Sequence, residues 1–329
     1  MTATTDFSGP LAYDLANYVA LLKAVGRASP CILKQLHALD RLSLTLPLPS
    51  QSIDEAFAKA WLAPSDTRGP NTRRGRYFLL RGFCLFLAKR RPQTFVPDQF
   101  LCPRRRPSPP PHIYTREEVR RLLDAALCLR NWGKAHPSPI RSDTMHTLLL
   151  LLATTGMRIS EALRLTLEDV DLEQGILRVR QSKFKKSRII PVSAGTLAVL
   201  EKYLKRRLRV ADDHPQAAFF VSGLGKGYST SYVQTTFRQI TIQAKIHSPN
   251  QRGPRLHDFR HSFAVTRLLL WYRQDANVMA RLPLLSTYLG HSQVSDTQVY
   301  LQATADLFTE AQNRFHDFAR ELLPEGGPS

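Results

Sequence analysis

The sequence predicts a mainly α chain with a small antiparallel β-sheet, divided into a helical N-terminal domain and a larger α+β domain. Three observations carry that prediction. A proline- and arginine-rich run, Pro103 to Pro111, interrupts the chain. Apolar residues recur at helical spacing on both sides of it. Downstream, one pair of short alternating segments, Ile176 to Arg180 and Arg188 to Val192, reads as a hairpin within helical surroundings. A length of 329 residues suits two domains, each large enough for its own hydrophobic core.

Taken in order, Leu11, Leu15, Val19 and Leu22 follow an i, i+4 pattern and predict a first helix. A second covers Pro30 to Leu44. A third covers Ile53 to Leu62, with Ser52 as its cap and Pro64 as its stop. The fourth, about Asn71 to Arg90, carries Arg73, Arg74, Arg76 and Arg81 around the apolar run Tyr77 to Leu87. Residues 1–102 thus form the helical domain, and residues 103–112, with five prolines and with Arg104, Arg105 and Arg106, form an extended linker. Residues 113–329 form the second domain. Thr115 and Glu118 make a capping box ahead of Val119, Leu122, Leu123 and Leu127. The hairpin loop, Gln181 to Ser187, carries Lys183, Lys185 and Lys186. Ser193 caps a helix running to about Arg209, and a loop-rich passage surrounds Ala217 to Val221. Helices resume near Thr230, Asp258, Pro283 and Asp306.

Composition narrows the partner. Lys and Arg number 46 against 27 Asp and Glu, a net charge of +19. Residues 1–100 hold 13 basic and 7 acidic residues, so both domains are basic. A polyanion gripped from two sides fits that distribution, although charge alone does not separate DNA, RNA and acidic proteins. The longest apolar stretch, Met145 to Met157, is too short to cross a bilayer. The first residues lack the basic-then-apolar layout of a signal peptide, which predicts a soluble, cytoplasmic protein. The four cysteines, Cys31, Cys84, Cys102 and Cys128, show no CxxC spacing, which argues against a disulfide framework or a cysteine zinc site.

Four local features carry chemistry. They are Thr155-Gly-Met-Arg158-Ile-Ser-Glu161, Leu256-His257-Asp258-Phe-Arg260-His261, Tyr288-Leu-Gly290-His291, and Tyr300 between Val299 and Leu301. Singly each is weak: an Arg and Glu three apart are most often a helix-surface pair, and a lone Tyr is most often core. Together they meet the needs of phosphodiester cleavage without a metal. Two arginines hold phosphoryl oxygens through planar, permanent charges. A histidine exchanges protons near neutral pH, and a tyrosine attacks to leave a covalent phosphotyrosyl link. A hairpin lysine can reach the leaving oxygen. No carboxylate cluster suited to Mg²⁺ accompanies these groups, and no metal or other cofactor is expected. His257 and His261 resemble half of a zinc motif, but HExxH requires Glu where this chain has Asp258.

The motifs TGMRISEAL, HDFRHSFA and YLGH, followed by Tyr300, closely resemble the tyrosine recombinase/integrase family, the phage-integrase and Xer/Cre-like enzymes, over roughly residues 113–320. The resemblance implies a core-binding domain before the linker and a tyrosine-recombinase catalytic domain after it. It implies a catalytic set of Arg158, Lys183, His257, Arg260, His291 and Tyr300. Lys183 is selected by the family's hairpin pattern, with Lys185 and Lys186 as alternatives. Glu161 matches the family's acidic residue, and with Asp258 it is expected to orient the arginines. The stretch Trp271 to Pro283 is longer than in compact members, which predicts an insertion. The implied function is site-specific recombination of duplex DNA by a homotetramer on two sites, with accessory recombinases as further partners. DNA contacts are expected from Arg73, Arg74, Arg76, Arg81, Arg104, Arg105, Arg106, Lys185 and Lys186, and no membrane is involved. The segment Asp306 to Leu323 would either pass between protomers or pack on its own domain. The competing classes are a type IB topoisomerase, which relaxes supercoils without site preference, and a non-catalytic DNA-binding regulator.

Overall fold

Local caps and apolar stripes, rather than long-range pairing, shape most of this chain. The computed structural model describes residues 7–48, 51–63, 69–106, 109–129, 139–180, 187–248, 253–274, 277–291 and 293–302. The chain divides into two units, residues 1–109 and 110–329.

The first unit holds α1 (Ala12–Ala24), α2 (Pro30–Thr45), α3 (Glu55–Leu62) and α4 (Pro70–Ala88). Ser29 caps α2, its side chain accepting from Ile32 N, and Pro30 sits at the first helical position, where a missing N–H costs nothing. The third helix starts two residues later than expected. Asp54 Oδ1 accepts from Phe57 N at 2.7 Å and so provides the cap in place of Ser52. Ile53 stays outside the helix, fully buried, with its carbonyl taken by Phe95 N. Leu36, Leu39, Leu80, Phe83 and Leu87 are fully buried in the core of this unit, each side chain stabilising by about 1.5–3 kcal/mol.

The basic residues of α4 are partly committed within this unit. Arg76 Nη2 donates to Trp61 O at 2.8 Å while its guanidinium stacks 3.7 Å over the Trp61 ring. Arg74 donates to Pro103 O, and Arg81 to Pro97 O. Arg73 is half-buried, and Arg104, Arg105 and Arg106 are exposed. The backbone of Arg106 exchanges two hydrogen bonds with the Asn71 side chain. Pro103 and Arg106, at the start of the proline- and arginine-rich run, are therefore tied to α4 through their backbone. Proline spacing showed where regular structure stops; it did not show which carbonyls α4 would claim.

The second unit contains α5 (Arg116–Leu127), α6 (Arg141–Thr155), the short α7 (Ile159–Ala162), β1 (Val170–Asp171), β2 (Ile176–Val179) and β3 (Arg188–Pro191). There follow α8 (Ala194–Arg207), α9 (Thr230–Gln243), α10 (Asp258–Arg273), α11 (Val278–Leu289), α12 (Ser295–Gln298) and a 3₁₀ turn, Val299–Gln302. The capping box at Thr115 forms as expected, with Thr115 Oγ1 accepting from Glu118 N and Glu118 accepting from Thr115 N. The sheet is antiparallel in the order β1-β2-β3, with Leu177 opposite Ile190 and Val179 opposite Arg188. Leu177 and Ile190 point inward and are fully buried. The loop-rich passage contributes Phe219, Phe220 and Val221 to the same core.

One expectation about the end of this unit is corrected. Helix α11 begins at Val278, not near Pro283, because Asn277 Oδ1 accepts from Ala280 N. Pro283 is accommodated on the exposed face, where water can serve the carbonyl that its missing N–H leaves unpaired. In the stretch Trp271 to Pro283, Trp271 to Arg273 end α10 and Val278 to Pro283 form the first half of α11. The segment Asp306 to Leu323 and the three hairpin lysines lie outside the described residues.

Candidate active site

Two glycines in left-handed backbone frame the site. Gly156 (φ +61°) ends α6 and Gly290 (φ +69°) ends α11, a conformation that costs any residue with a Cβ. Space excludes a side chain as well: a Cβ would meet the Phe263 ring at 2.6 Å from Gly156, and the Arg188 guanidinium at 2.8 Å from Gly290. The two helix ends converge on Arg260. Its Nη1 donates to Gly156 O at 3.1 Å and its Nη2 to Leu289 O at 2.6 Å. Only 1% of Arg260 is exposed, and burial, with Arg158 nearby, lowers its pKa to about 10, leaving it charged at neutral pH.

Arg158 caps α7 and faces the same place. Its Nη2 donates to Gly290 O at 3.2 Å and its Nη1 to Glu161 Oε1 at 2.8 Å. Glu161 Oε2 accepts from Arg158 N at 3.0 Å, so the carboxylate fixes both ends of the arginine. Glu161 also receives Arg188, from Nη1 at 3.2 Å and Nη2 at 2.8 Å. Burial alone would raise the Glu161 pKa, but hydrogen bonds and charge from Arg188 and Arg158 hold it at about 2. Arg188 Nε completes the bracket by donating to Tyr288 O at 2.8 Å. Tyr288 packs its ring on Phe263, at 5.5 Å between centroids.

Tyr300 lies in the apolar cluster formed by Ala264, Val265, Leu268, Leu282, Leu285 and Leu289, with 4% of its surface exposed. Its ring lies 5.4 Å from His261 and 6.1 Å from His291. Burial raises its pKa, against the opposing charge and hydrogen bond of Arg260. His257 stands edge-on to His261 at 4.9 Å. His257 is lowered to about 4, by burial first and then by His261, Arg260 and Arg158. His291 is likewise lowered to about 4, by burial, Arg260 and Arg158. Both imidazoles are therefore neutral at pH 7. His291 Nδ1 lies 2.7 Å from Thr297 Oγ1, and its backbone N–H is held by Ser286 O at 3.0 Å.

Arg158, His257, Arg260, His291 and Tyr300 thus come together from four segments of the chain, with Glu161 bonded to Arg158. Asp258 pairs with Arg255 rather than with Arg158 or Arg260, so it does not orient those two arginines as expected. It accepts from Arg255 N at 2.8 Å and from Arg255 Nη2 at 2.9 Å. At the first position of α10 its short side chain reaches back to the preceding turn, while Arg260 projects toward the helix ends. Arg188 and Thr297 are the site residues that sequence reasoning passed over. The signal for Arg188 was its place as the first residue of the strand after the lysine loop. Nothing local marked Thr297. Among the described residues no cluster of His, Cys, Asp or Glu is arranged to hold a metal ion, and no helix is long and apolar enough to cross a membrane.

The model of the phage integrase family matches residues 113–306. The chain is similar to the integrase/recombinase-like protein y4rE of Sinorhizobium fredii, 41% identical over 245 residues, which are 74% of this chain and 76% of that one. It is similar to tyrosine recombinase XerD of Vibrio cholerae, 26% identical over 259 residues, 78% of each chain. Among solved structures, the Tn1549 transposon integrase in complex with a circular intermediate DNA matches with a TM-score of 0.62 at 17% identity, over 92% of this chain and 99% of that one. A lambda integrase dimer bound to a core site matches at 0.57 and 17% identity, over 88% and 94%. These two share the fold. The chain belongs to the phage integrase family. Within that family it is a tyrosine-type site-specific DNA recombinase.

Proposed function

We propose that Tyr300 is the nucleophile of this recombinase and that Arg158, Arg260 and His291 hold the phosphate it attacks. The observation that carries the reading is the convergence on one place of the Tyr300 ring, 6.1 Å from that of His291, and of Arg260, a buried guanidinium that holds two helix ends and whose charge acts on the Tyr300 phenol. The phenol oxygen attacks the scissile phosphorus and gives up its proton. The bond from phosphorus to the 5′-oxygen breaks, leaving a 3′-phosphotyrosyl enzyme and a 5′-hydroxyl. Neutral His257 is available to take a proton, and Lys183, with Lys185 and Lys186 as alternatives, protonates the leaving oxygen. Negative charge developing on the non-bridging oxygens meets donors already held in place by Glu161, Gly156, Leu289 and Gly290, so little reorganisation accompanies the step. Attack by the 5′-hydroxyl of a second duplex reverses the chemistry with exchanged strands, and the phosphotyrosyl bond conserves the energy.

Duplex DNA is the partner. The basic character of both units supports this, as do relatives whose structures contain DNA. We assign residues 1–102 to core binding and 113–329 to catalysis. Contacts to the DNA backbone come from Arg73, Arg74, Arg76, Arg81 and the exposed Arg104, Arg105 and Arg106 in the first unit, and from Lys185 and Lys186 in the second. The working assembly is a homotetramer on two sites, with other recombinases as accessory partners. The test is a duplex selected by binding from a random-sequence pool and nicked near the scissile phosphate, so that cleavage traps the enzyme. Wild type forms a covalent complex and Tyr300→Phe forms none; equal yields from the two overturn the assignment. Plasmid relaxation without site preference or recombinant product would mark a topoisomerase instead.

A further inference from the structure

We infer that Thr297 is a positioning residue for this reaction: its hydroxyl donates to His291 Nδ1 and so fixes the imidazole in the tautomer that carries its proton on Nε2. The inference rests on the reading of His291 as a phosphate-binding group. Thr297 is fully buried, and its Oγ1 lies 2.7 Å from Nδ1. Among the described residues His291 is the one partner of this hydroxyl. A hydroxyl with one neighbour able to accept gives its proton to that neighbour, and Nδ1 must then be unprotonated.

The choice of tautomer decides what His291 can do. The imidazole is half-buried, and that burial, together with the charges of Arg260 and Arg158, keeps it neutral. A neutral imidazole has one N–H. With that proton on Nε2, the ring offers a donor on the side away from Thr297, where a phosphoryl oxygen can be met. With the proton on Nδ1, the same ring would turn a lone pair toward the phosphate and repel it. A wrong tautomer beside an otherwise intact site costs about 10⁴-fold in a serine protease.

The placement of Thr297 adds a second consequence. It lies in α12, three residues before Tyr300, so the segment that carries the nucleophile also carries the group that arms His291. Backbone bonds from Thr297 N to Val294 O at 2.8 Å and from Gln298 N to Val294 O at 3.1 Å hold this turn together. Displacing the tyrosine segment would remove the nucleophile and release the histidine in one movement. A protomer with an undocked tyrosine is then silent on two counts.

Two measurements on the full chain test this. The first is long-range ¹H–¹⁵N correlation of histidine-labelled protein without DNA, with the His291 signals identified by their loss in His291→Gln. Wild type and Thr297→Ser should show His291 protonated on Nε2. Thr297→Val, which keeps the shape and removes the hydroxyl, should move His291 toward the Nδ1-protonated form. The second is trapping on the selected, nicked duplex. Thr297→Val should reduce the rate about ten- to a hundredfold, as expected between a lost hydrogen bond and a fully wrong tautomer, and Thr297→Ser should restore it. In a His291→Ala background Thr297→Val should have no further effect, which a merely structural role would not produce. His291 protonated on Nδ1 in wild type, or Thr297→Val trapping at the wild-type rate, overturns the inference. If wild type traps no complex, the recombination mechanism fails instead, and the nitrogen spectra still decide the role of Thr297.

Discussion

Replacing Glu161 with Gln would remove one negative charge from between two guanidiniums without changing side-chain size. The carboxylate is 1% exposed and takes hydrogen bonds from Arg158 and Arg188. Its pKa falls from the ordinary 4.5 to about 2, because these bonds and charges outweigh the burial that acts against them. A displacement of that size corresponds to about 3 kcal/mol of folding stability. Removing one partner of a buried ion pair gives a similar figure, about 3–5 kcal/mol, since the remaining cations stay desolvated and unpaired. The folded pKa lies below the unfolded one, so the contribution is complete above pH 4.5 and disappears as the pH falls toward 2. Urea unfolding of the full chain, followed by circular dichroism, reads the effect. At pH 7 Glu161→Gln should lower the midpoint of the catalytic unit by about 1.5 M, for a slope near 2 kcal/mol/M. The gap from wild type should narrow steadily as the pH is taken below 4.5. Covalent trapping should fall in parallel, because Arg158 loses the group that holds its backbone and its guanidinium. A midpoint lowered by less than about 0.3 M, or a gap that persists unchanged at pH 3, would refute the ion-pair argument.

Two further outcomes follow from the same geometry. Gly290→Ala places a Cβ in left-handed backbone and 2.8 Å from the Arg188 guanidinium, so unfolding should come about 1–2 kcal/mol sooner with reduced trapping; an unchanged urea midpoint would show that the turn is not constrained. His257 and His291 have folded pKa values of about 4, below the ordinary 6.5, chiefly through burial. The unfolded chain therefore binds protons first, and stability falls as the pH drops from 6.5 toward 4. The double variant His257→Gln, His291→Gln should flatten that slope, and an unaltered slope would assign it to other groups.

What could be read in the sequence was what the chain writes locally. Helix caps at Thr115 and Ser193 depend on residues three apart, and so does the pairing of Arg158 with Glu161. The alternation of Ile176 to Arg180 and of Arg188 to Val192 contains the hairpin. The order of Arg158, His257, Arg260, His291 and Tyr300 was visible because each motif is short and the resemblance supplies their order. Missed features depend on direction or distance. Arg188 reaches Glu161 across 27 residues, and no periodicity reports that a strand's first side chain turns toward a buried carboxylate. Asp258 lies two residues from Arg260, yet its side chain points to the preceding turn, a fact set by its place at the start of α10. Pro283 suggested a helix start because proline favours first turns, but the cap at Asn277 shows the helix already running.

The electrostatics of the site explain why arginine, and why two of them, must stand there. Helices bind anions at their N-terminal ends, where N–H groups and the positive end of the dipole meet the ligand. Here α6 and α11 bring their C-terminal ends together, at Gly156 and Gly290, with carbonyl groups facing the two guanidiniums proposed to hold the phosphate. Left alone, that arrangement would repel the phosphate. Arg260 meets the carbonyls of Gly156 and Leu289, and Arg158 meets that of Gly290, so the local field changes sign. Each guanidinium has five N–H donors in one plane, and the carbonyls take two from Arg260 and one from Arg158. The same bonds fix the plane of each fork before any DNA arrives. A lysine could neutralise one carbonyl, but its single rotatable ammonium could not span two helix ends and still present a planar pair of donors to a phosphoryl group. Burial adds the final requirement, since a group held 1% exposed must remain charged. Even with its pKa lowered to about 10, Arg260 does so at neutral pH, whereas a lysine in that place would start from a pKa about two units lower and readily lose its charge.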